Sequence, residues 1–161
     1  MIILLMGVSG SGKTTVGRIL AADLGWAFYD ADDFHPPANV EKMQRGIPLT
    51  DADRAPWLDA LHALLASLAG DGRSAVLACS ALKQSYRDHL VAGVGGVRVV
   101  YLRGSAALLQ RRLAARRGHF MPADLLRSQL EALQAPADAI AVDIADPPQA
   151  VAADIKRQLQ G

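Results

Sequence analysis

The sequence predicts an α/β fold in which a five-stranded parallel sheet is covered by helices on both faces. Apolar runs of strand length alternate along the chain with segments whose apolar residues fall at helical spacing. Near-continuous apolar strands are typical of parallel sheets, because both faces of each strand are buried. The predicted strands are residues 2–6, 26–29, 74–79, 97–102 and 140–144.

The segments between these strands are predicted to be helical. The clearest of them covers residues 54–69, where leucines recur at helical spacing around Trp57 until the glycine-rich turn 70–72. Another begins near Pro122, because proline is tolerated in the first turn of a helix. In such a fold, ligands bind at the carboxyl ends of the strands. The predicted helices are residues 14–24, 54–69, 84–91, 105–117, 123–133 and 148–159.

A phosphate-binding loop is predicted directly after the first strand, where residues 7–14 match the pattern G-x-x-x-x-G-K-[ST]. Glycines allow this backbone to curl so that successive N–H groups point at a phosphate, and the helix that follows adds partial positive charge. In this pattern Lys13 reaches the β- and γ-phosphates and the Thr14 hydroxyl binds Mg²⁺. The predicted nucleotide-binding residues are Gly7, Val8, Ser9, Gly10, Ser11, Gly12, Lys13, Thr14 and Thr15.

The composition fits one soluble globular domain, residues 1–161. Hydrophobic residues make up 51% and charged residues 20% of the chain, and a net charge of +1 gives no support for a nucleic-acid partner. The only cysteine, Cys79, excludes an internal disulfide and fits a reducing, cytoplasmic compartment; we interpret it as a buried small residue. The apolar run 2–6 is too short for a signal peptide or a membrane span.

Two aspartates follow the second predicted strand. Asp30 and Asp32 alternate at the end of that strand, so their carboxylates are expected to point to the same side. Phosphoryl transfer to an alcohol needs a group that orients the hydroxyl and accepts its proton, and it needs an anchored Mg²⁺. Because the third strand ends without an acidic residue, Asp32 is our first choice for supporting the metal or orienting the acceptor, with Asp30 sharing that task.

The segment 33–57 carries more polar groups than a solvated connection requires, and we predict that it is an insert that binds the acceptor. His35 is expected to line the acceptor pocket, and Arg54 to hold the acceptor. Asp51 and Asp53 have two interpretations, because either could bind the acceptor or cap the helix that contains Trp57.

Basic residues form two further groups. Arg112 and Arg116 share one helical face, and their forked donors suit the equatorial oxygens of a transferring phosphoryl group. We expect a lid over about residues 112–125 that closes over the triphosphate; the alternative is a solvated basic helix face. After the third strand, Lys83 and Arg87 are expected to face the crevice and hold a carboxylate and hydroxyls.

Together these segments resemble the gluconate kinases, small P-loop kinases related to shikimate and adenylate kinases. The departures are mild. Ala31 stands where many members have glycine, and residues 133–136 are Leu-Gln-Ala-Pro where Leu-Glu-x-Pro is usual, so Gln134 replaces the glutamate. Shikimate kinases are the nearest alternative, but their glycine-rich turn after the third strand is replaced here by residues 79–81. The segments that carry the resemblance are DADDFHP at 30–36, NVEKM at 39–43, GIPLTDADRAPWL at 46–58, CSALK at 79–83, YRD at 86–88 and RRGHF at 116–120.

This resemblance implies a three-layer P-loop kinase fold with a helical acceptor-binding insert and an arginine-bearing lid. It implies transfer of the ATP γ-phosphate to the 6-hydroxyl of D-gluconate, with Mg²⁺ as cofactor, in a homodimer without nucleic-acid or membrane partners. The expected catalytic residues are Lys13, Asp30, Asp32, Arg112 and Arg116; the expected acceptor-binding residues are Asp32, His35, Arg54, Lys83 and Arg87; Thr14 and Asp32 are expected at the metal.

Overall fold

The computed structural model describes residues 1–115 and 123–160. Within them, five strands form one parallel sheet in the order β2-β3-β1-β4-β5, which confirms the predicted sheet. The strand β1 lies at the centre, with Ile2 opposite Ala75 on one side and Val97 on the other. The strands are β1 Ile2–Met6, β2 Ala27–Asp30, β3 Ala75–Ala78, β4 Val97–Arg103 and β5 Ile140–Asp143.

Helices connect these strands, and one 3-10 turn, Ala31–Phe34, follows β2. The largest difference from the predicted bounds is at α3, which begins at Asp51 and not at residue 54; the predicted end of α5 lies outside the described residues. In the described part of the chain, no helix is both long and apolar enough to cross a membrane. The helices are α1 Lys13–Leu24, α2 Pro37–Gln44, α3 Asp51–Gly70, α4 Gln84–Val91, α5 Ala106–Ala115, α6 Ala123–Ala132 and α7 Pro148–Gln160.

Alternate residues of β1 belong to two different cores, which makes the fold three-layered. Ile3 and Leu5 pack with buried residues of α1, α5, α6 and α7 on one face of the sheet. Ile2, Leu4 and Met6 pack on the other face with buried residues of α3 and α4. Because successive side chains of a strand point to opposite faces, both cores meet at this strand. All five residues of β1 are therefore apolar, and the strand shows no alternation of apolar and polar residues.

The early start of α3 is explained by a capping box. The Thr50 hydroxyl accepts a hydrogen bond from the Asp53 N–H at 3.1 Å, and the Asp53 carboxylate accepts one from the Thr50 N–H at 2.9 Å. Lys42 Nζ lies 2.8 Å from the same carboxylate. The hydrogen bond from Lys42, followed by that from the Thr50 N–H, lowers the pKa of Asp53 to about 2. Of the two interpretations of Asp53, the structure supports helix capping.

Thr50→Ala is expected to reduce the free energy of unfolding by about 1 kcal/mol, because it removes the side-chain acceptor for the first turn of α3. Urea denaturation measures this change. The matched control is Ser67→Ala, which removes an exposed hydroxyl from the last turn of the same helix, far from its capped start. Equal shifts of the two denaturation midpoints would contradict a capping role for Thr50.

Candidate active site

The phosphate loop lies between the carboxyl end of β1 and the start of α1. Gly12 caps α1 with a φ of 89°, and Gly10 has a φ of 84°, so both adopt the left-handed backbone that side chains disfavour. Gly7 has a different constraint, because a Cβ there would lie 2.5 Å from Ser11 Oγ. The loop therefore curls between β1 and the amino end of α1, as the sequence pattern predicts.

Two loop side chains have partners that bear on chemistry. Lys13 Nζ donates to the Val8 carbonyl at 3.2 Å, which holds the ammonium over the loop. The Thr14 hydroxyl donates to Asp30 Oδ2 at 3.1 Å. The hydroxyl expected at the metal is thus next to a carboxylate from the end of β2.

The two aspartates after β2 occupy different positions. Asp30 caps the 3-10 turn, since its Oδ1 accepts from the Asp32 N–H at 3.0 Å while its Oδ2 contacts Thr14. Asp30, and not Asp32, therefore contacts the Thr14 hydroxyl that is expected at the metal. Asp32 lies at the open side of the turn. Partial removal of water by the surrounding protein, and then the charge of Asp30, raise the pKa of Asp32.

His35 is fixed against the start of α3. Its ring stacks on Trp57 with the centroids 4.3 Å apart, and its Nδ1 lies 3.2 Å from Asn39 Nδ2. The same Asn39 amide donates to the Asp53 carbonyl, so it faces His35 as a donor and the neutral imidazole accepts at Nδ1. Burial, followed by the charge of Arg54, lowers the pKa of His35. At neutral pH the ring is therefore an uncharged wall that can present an N–H.

Arg54 and Lys83 converge on one aromatic ring. Both cationic groups lie 5.5 Å from the centre of the Tyr86 ring. The Tyr86 hydroxyl donates to Asp51 Oδ1 at 2.7 Å, and Arg54 Nη1 donates to the Leu49 carbonyl at 2.8 Å. Two cations from α3 and from the loop after β3 thus share a partly exposed surface, where Asp51 Oδ1 lies 3.9 Å from Arg54 Nη1 and from Lys83 Nζ.

Sequence reasoning missed Tyr86 and Asp51 as parts of this basic cluster. The hydrogen bond from Tyr86, and then the charge of Lys83, lower the pKa of Asp51. Burial, and then the hydrogen bond to Asp51, raise the pKa of Tyr86. No signal in the sequence pairs these two side chains, because α3 and α4 meet only in the folded chain.

The prediction for Arg87 needs correction. This side chain is only 3% exposed, and its guanidinium donates to the Ala81 carbonyl at 2.7 Å and to the Gln134 carbonyl at 2.6 Å. It also donates to the Leu82 carbonyl and to Gln84 Oε1. Arg87 therefore joins the loop after β3 to the segment after α6 and does not face the crevice with Lys83.

Ala81 shows why this loop needs support. Its φ of 43° lies in the left-handed region, which is uncommon for a residue with a side chain. The hydrogen bond from Arg87 to the Ala81 carbonyl holds this peptide in place. Cys79, just before it, is buried as predicted, and burial raises the pKa of its thiol to about 12.

The arginines of the predicted lid are only partly described. Arg112 Nη2 donates to the Ile144 carbonyl, just beyond β5, so this guanidinium is held at the end of that strand. This contact gives no support to the prediction that Arg112 closes over the transferring phosphoryl group. Arg116 lies outside the described residues, as do residues 117–122 of the lid predicted at 112–125.

A further contact connects α6 with the phosphate loop. Gln129 Oε1 accepts from the Ser9 N–H at 2.8 Å, and Gln129 Nε2 donates to Ser9 Oγ at 3.1 Å. The two residues are 120 positions apart, so no sequence pattern links them.

Arg87→Leu is expected to reduce the free energy of unfolding by about 2–4 kcal/mol, because it leaves buried carbonyl groups without their charged donor. Chemical denaturation measures the change. Lys83→Leu, at a partly exposed position beside Arg87, is the matched control and is expected to change the same quantity by less than about 1 kcal/mol. If Arg87→Leu were stable and only acceptor binding were weakened, the prediction that Arg87 holds the acceptor would be restored.

Comparison with known proteins places this arrangement in a family. A family model described as an AAA domain matches residues 2–140. The gluconokinase of Gluconobacter oxydans is 54% identical over 136 residues, which cover 84% of this chain and 76% of that protein. A probable gluconokinase of Xenopus tropicalis is 49% identical over 162 residues, covering 89% of this chain and 85% of the relative.

A solved structure agrees with these relatives. The crystal structure of a gluconokinase from Sinorhizobium meliloti matches with a TM-score of 0.85 and 44% identity, covering 98% of this chain and 94% of the other. Similar sequence, similar fold and the phosphate loop at the end of β1 agree with one another, and the chain belongs to the gluconokinase family of P-loop kinases.

Proposed function

We propose that this protein transfers the γ-phosphate of ATP to the 6-hydroxyl of D-gluconate, giving 6-phospho-D-gluconate and ADP. The observation that carries the proposal is the position of three groups at one edge of the sheet. The phosphate loop follows β1, Asp30 ends β2 with Asp32 just beyond it, and Lys83 follows β3. Because β1, β3 and β2 are neighbours, the ATP phosphates, a carboxylate that accepts the proton and the carboxylate of the sugar acid would meet there.

In this proposal the residues of the loop hold the triphosphate. Its N–H groups and the amino end of α1 surround the phosphates, and Lys13 reaches the β- and γ-phosphates. The hydroxyl of Thr14 and the carboxylate of Asp30, which are hydrogen-bonded at 3.1 Å, are hard oxygen donors of the kind that Mg²⁺ prefers. When bound there, Mg²⁺ would neutralise charge on the phosphates. Asp32, two residues further along the chain, is proposed to face the acceptor.

Asp32 is the proposed proton acceptor for the attacking hydroxyl. A general base works best when its pKa approaches the working pH, and the pKa of Asp32 is raised by loss of water and by the neighbouring Asp30. Its carboxylate therefore binds a proton more readily than that of an isolated aspartate. Asp30, which accepts from both Thr14 and the Asp32 N–H, holds the turn that presents it.

The sugar acid is proposed to bind between the insert and the loop after β3. Arg54 and Lys83 provide positive charge for its carboxylate, and both are only partly exposed, at 30% and 39% of the side chain. His35 forms a neutral wall beside them and can donate from its ring to a hydroxyl. Asp51, which accepts from the Tyr86 hydroxyl, lies 3.9 Å from both Arg54 Nη1 and Lys83 Nζ and so restrains these two cations.

Three further elements belong to the proposal. Arg116, in a lid over about residues 112–125, would stabilise charge on the transferring phosphoryl group. The protein would act in the cytoplasm, where its buried thiol stays reduced. It would be a homodimer, as the family resemblance implies.

The acceptor assignment predicts a selective response when ADP release from MgATP is measured with purified protein. D-gluconate, shikimate, AMP and no acceptor are offered in parallel, and strong turnover is expected with D-gluconate alone. The product is identified by NMR, where phosphorus coupling to the 6-methylene protons reports the site of transfer. Turnover with shikimate or AMP instead would reject the assignment and keep only the kinase fold.

Asp32→Asn is expected to lower kcat by about 10²–10⁴-fold while nucleotide binding stays largely intact, because it removes the proton acceptor. Asp33→Asn, an exposed neighbour in the same turn, is the matched control. In the unmodified protein, kcat/KM is expected to fall with decreasing pH at a pKa above the ordinary 3.8, since protonation silences the base. Unchanged turnover in Asp32→Asn would remove Asp32 from this role.

A further inference from the structure

One polar side chain of α6 contacts the phosphate loop through both ends of its amide. Gln129 Oε1 accepts from the Ser9 N–H at 2.8 Å, and Nε2 donates to Ser9 Oγ at 3.1 Å. Leu126, on the preceding turn of α6, is 1% exposed within the main core, and Leu130 packs against that core. The helix is therefore anchored independently of Gln129, and the amide is presented to the loop by a fixed element.

The contact fixes the peptide that joins Val8 to Ser9. The C=O and N–H of a planar trans peptide point in opposite directions, so one peptide can be held from two sides. Here the Val8 carbonyl accepts from Lys13 Nζ at 3.2 Å and from the Ser11 N–H at 3.2 Å. The N–H of the same peptide is taken by Gln129. Rotation of this peptide would break the contacts on both sides together.

We propose that Gln129 is a positioning residue that orients the Lys13 ammonium through the Val8–Ser9 peptide; this inference rests on the proposed kinase activity. Lys13 is the loop residue that reaches the β- and γ-phosphates. The hydrogen bond to the Val8 carbonyl sets in part the direction of the Lys13 ammonium. Gln129 fixes the direction of that carbonyl, because it binds the N–H on the opposite side of the same peptide. Through this peptide, Gln129 of α6 acts on the triphosphate without touching it.

The chemistry of the side chain agrees with this role. The oxygen of a glutamine amide can accept the hydrogen bond from the Ser9 N–H, and the amide nitrogen can donate one to the Ser9 hydroxyl. Glutamate would keep the acceptor but place a negative charge beside the triphosphate. Methionine has a similar shape without either hydrogen bond, so Gln129→Met tests the amide itself.

Gln129→Met is expected to lower kcat/KM for ATP by about tenfold, the effect of one or two net hydrogen bonds. The KM for D-gluconate should stay within about twofold, and Tm within about 3 °C, because Leu126 and Leu130 still anchor α6. Gln129→Glu is expected to lose more, through repulsion of the phosphates. The matched control is Gln110→Met on the exposed face of α5, which should change none of these quantities.

A second measurement separates action through Lys13 from a general loss of structure. The dissociation constant of a magnesium complex of a non-hydrolysable ATP analogue is measured by calorimetry for Gln129→Met, Lys13→Met, the double variant and the unmodified protein. Gln129→Met should weaken binding about tenfold when Lys13 is present and less than about twofold when it is absent.

Equal losses in both backgrounds, unchanged kinetics, or a lowered Tm with normal kinetics would each overturn the inference. Failure of the acceptor assignment is a different result, since it appears as absent turnover of the unmodified protein with D-gluconate. The calorimetric comparison needs no acceptor and would still decide the role of Gln129.

Discussion

The burial of β1 on both faces and both edges is the constraint on which the rest of this structure depends. Ile2, Ile3, Leu4, Leu5 and Met6 are at most 2% exposed, and each side of the strand is paired with a parallel neighbour. A strand in this position cannot shift by one residue without exchanging the two cores. The loop that follows it is therefore fixed in space, and so are the N–H groups that form the phosphate site.

The site is assembled from strand ends and not from one continuous segment. Thr14 follows β1 and Asp30 ends β2, although β3 lies between these strands in the sheet. The hydrogen bond between them crosses the carboxyl edge of β3, whose own end carries no acidic residue. The carboxylate that contacts the Thr14 hydroxyl therefore comes from Asp30 at the end of the edge strand β2. This geometry gives Asp30 and Asp32 separate surroundings, although only one residue lies between them.

Basic residues in this chain serve two different physical purposes. Arg54 and Lys83 remain partly exposed around Tyr86, where solvent can be exchanged for an anionic ligand. Arg87 is buried and has backbone carbonyls as acceptors, so its charge stabilises the left-handed peptide at Ala81 and the chain after α6. Because Nη1 and Nη2 of this guanidinium already donate to carbonyl oxygens inside the protein, they do not face a substrate in the crevice. Spacing along a helix does not distinguish these uses, because it does not report what faces each donor.

The sequence by itself determined the parallel sheet, the phosphate loop, the placement of Asp30 and Asp32 after β2, and the family resemblance. These features depend on local patterns in the chain: apolar runs of strand length, glycines that allow a left-handed backbone, and motifs that occur in a fixed order. Only the tertiary structure decided that Asp53 caps α3, that Asp30 contacts Thr14, that Arg87 is structural and that Gln129 reaches Ser9. Each of these depends on which elements meet across the fold, and a hydrogen bond between residues 9 and 129 leaves no periodic trace in the chain.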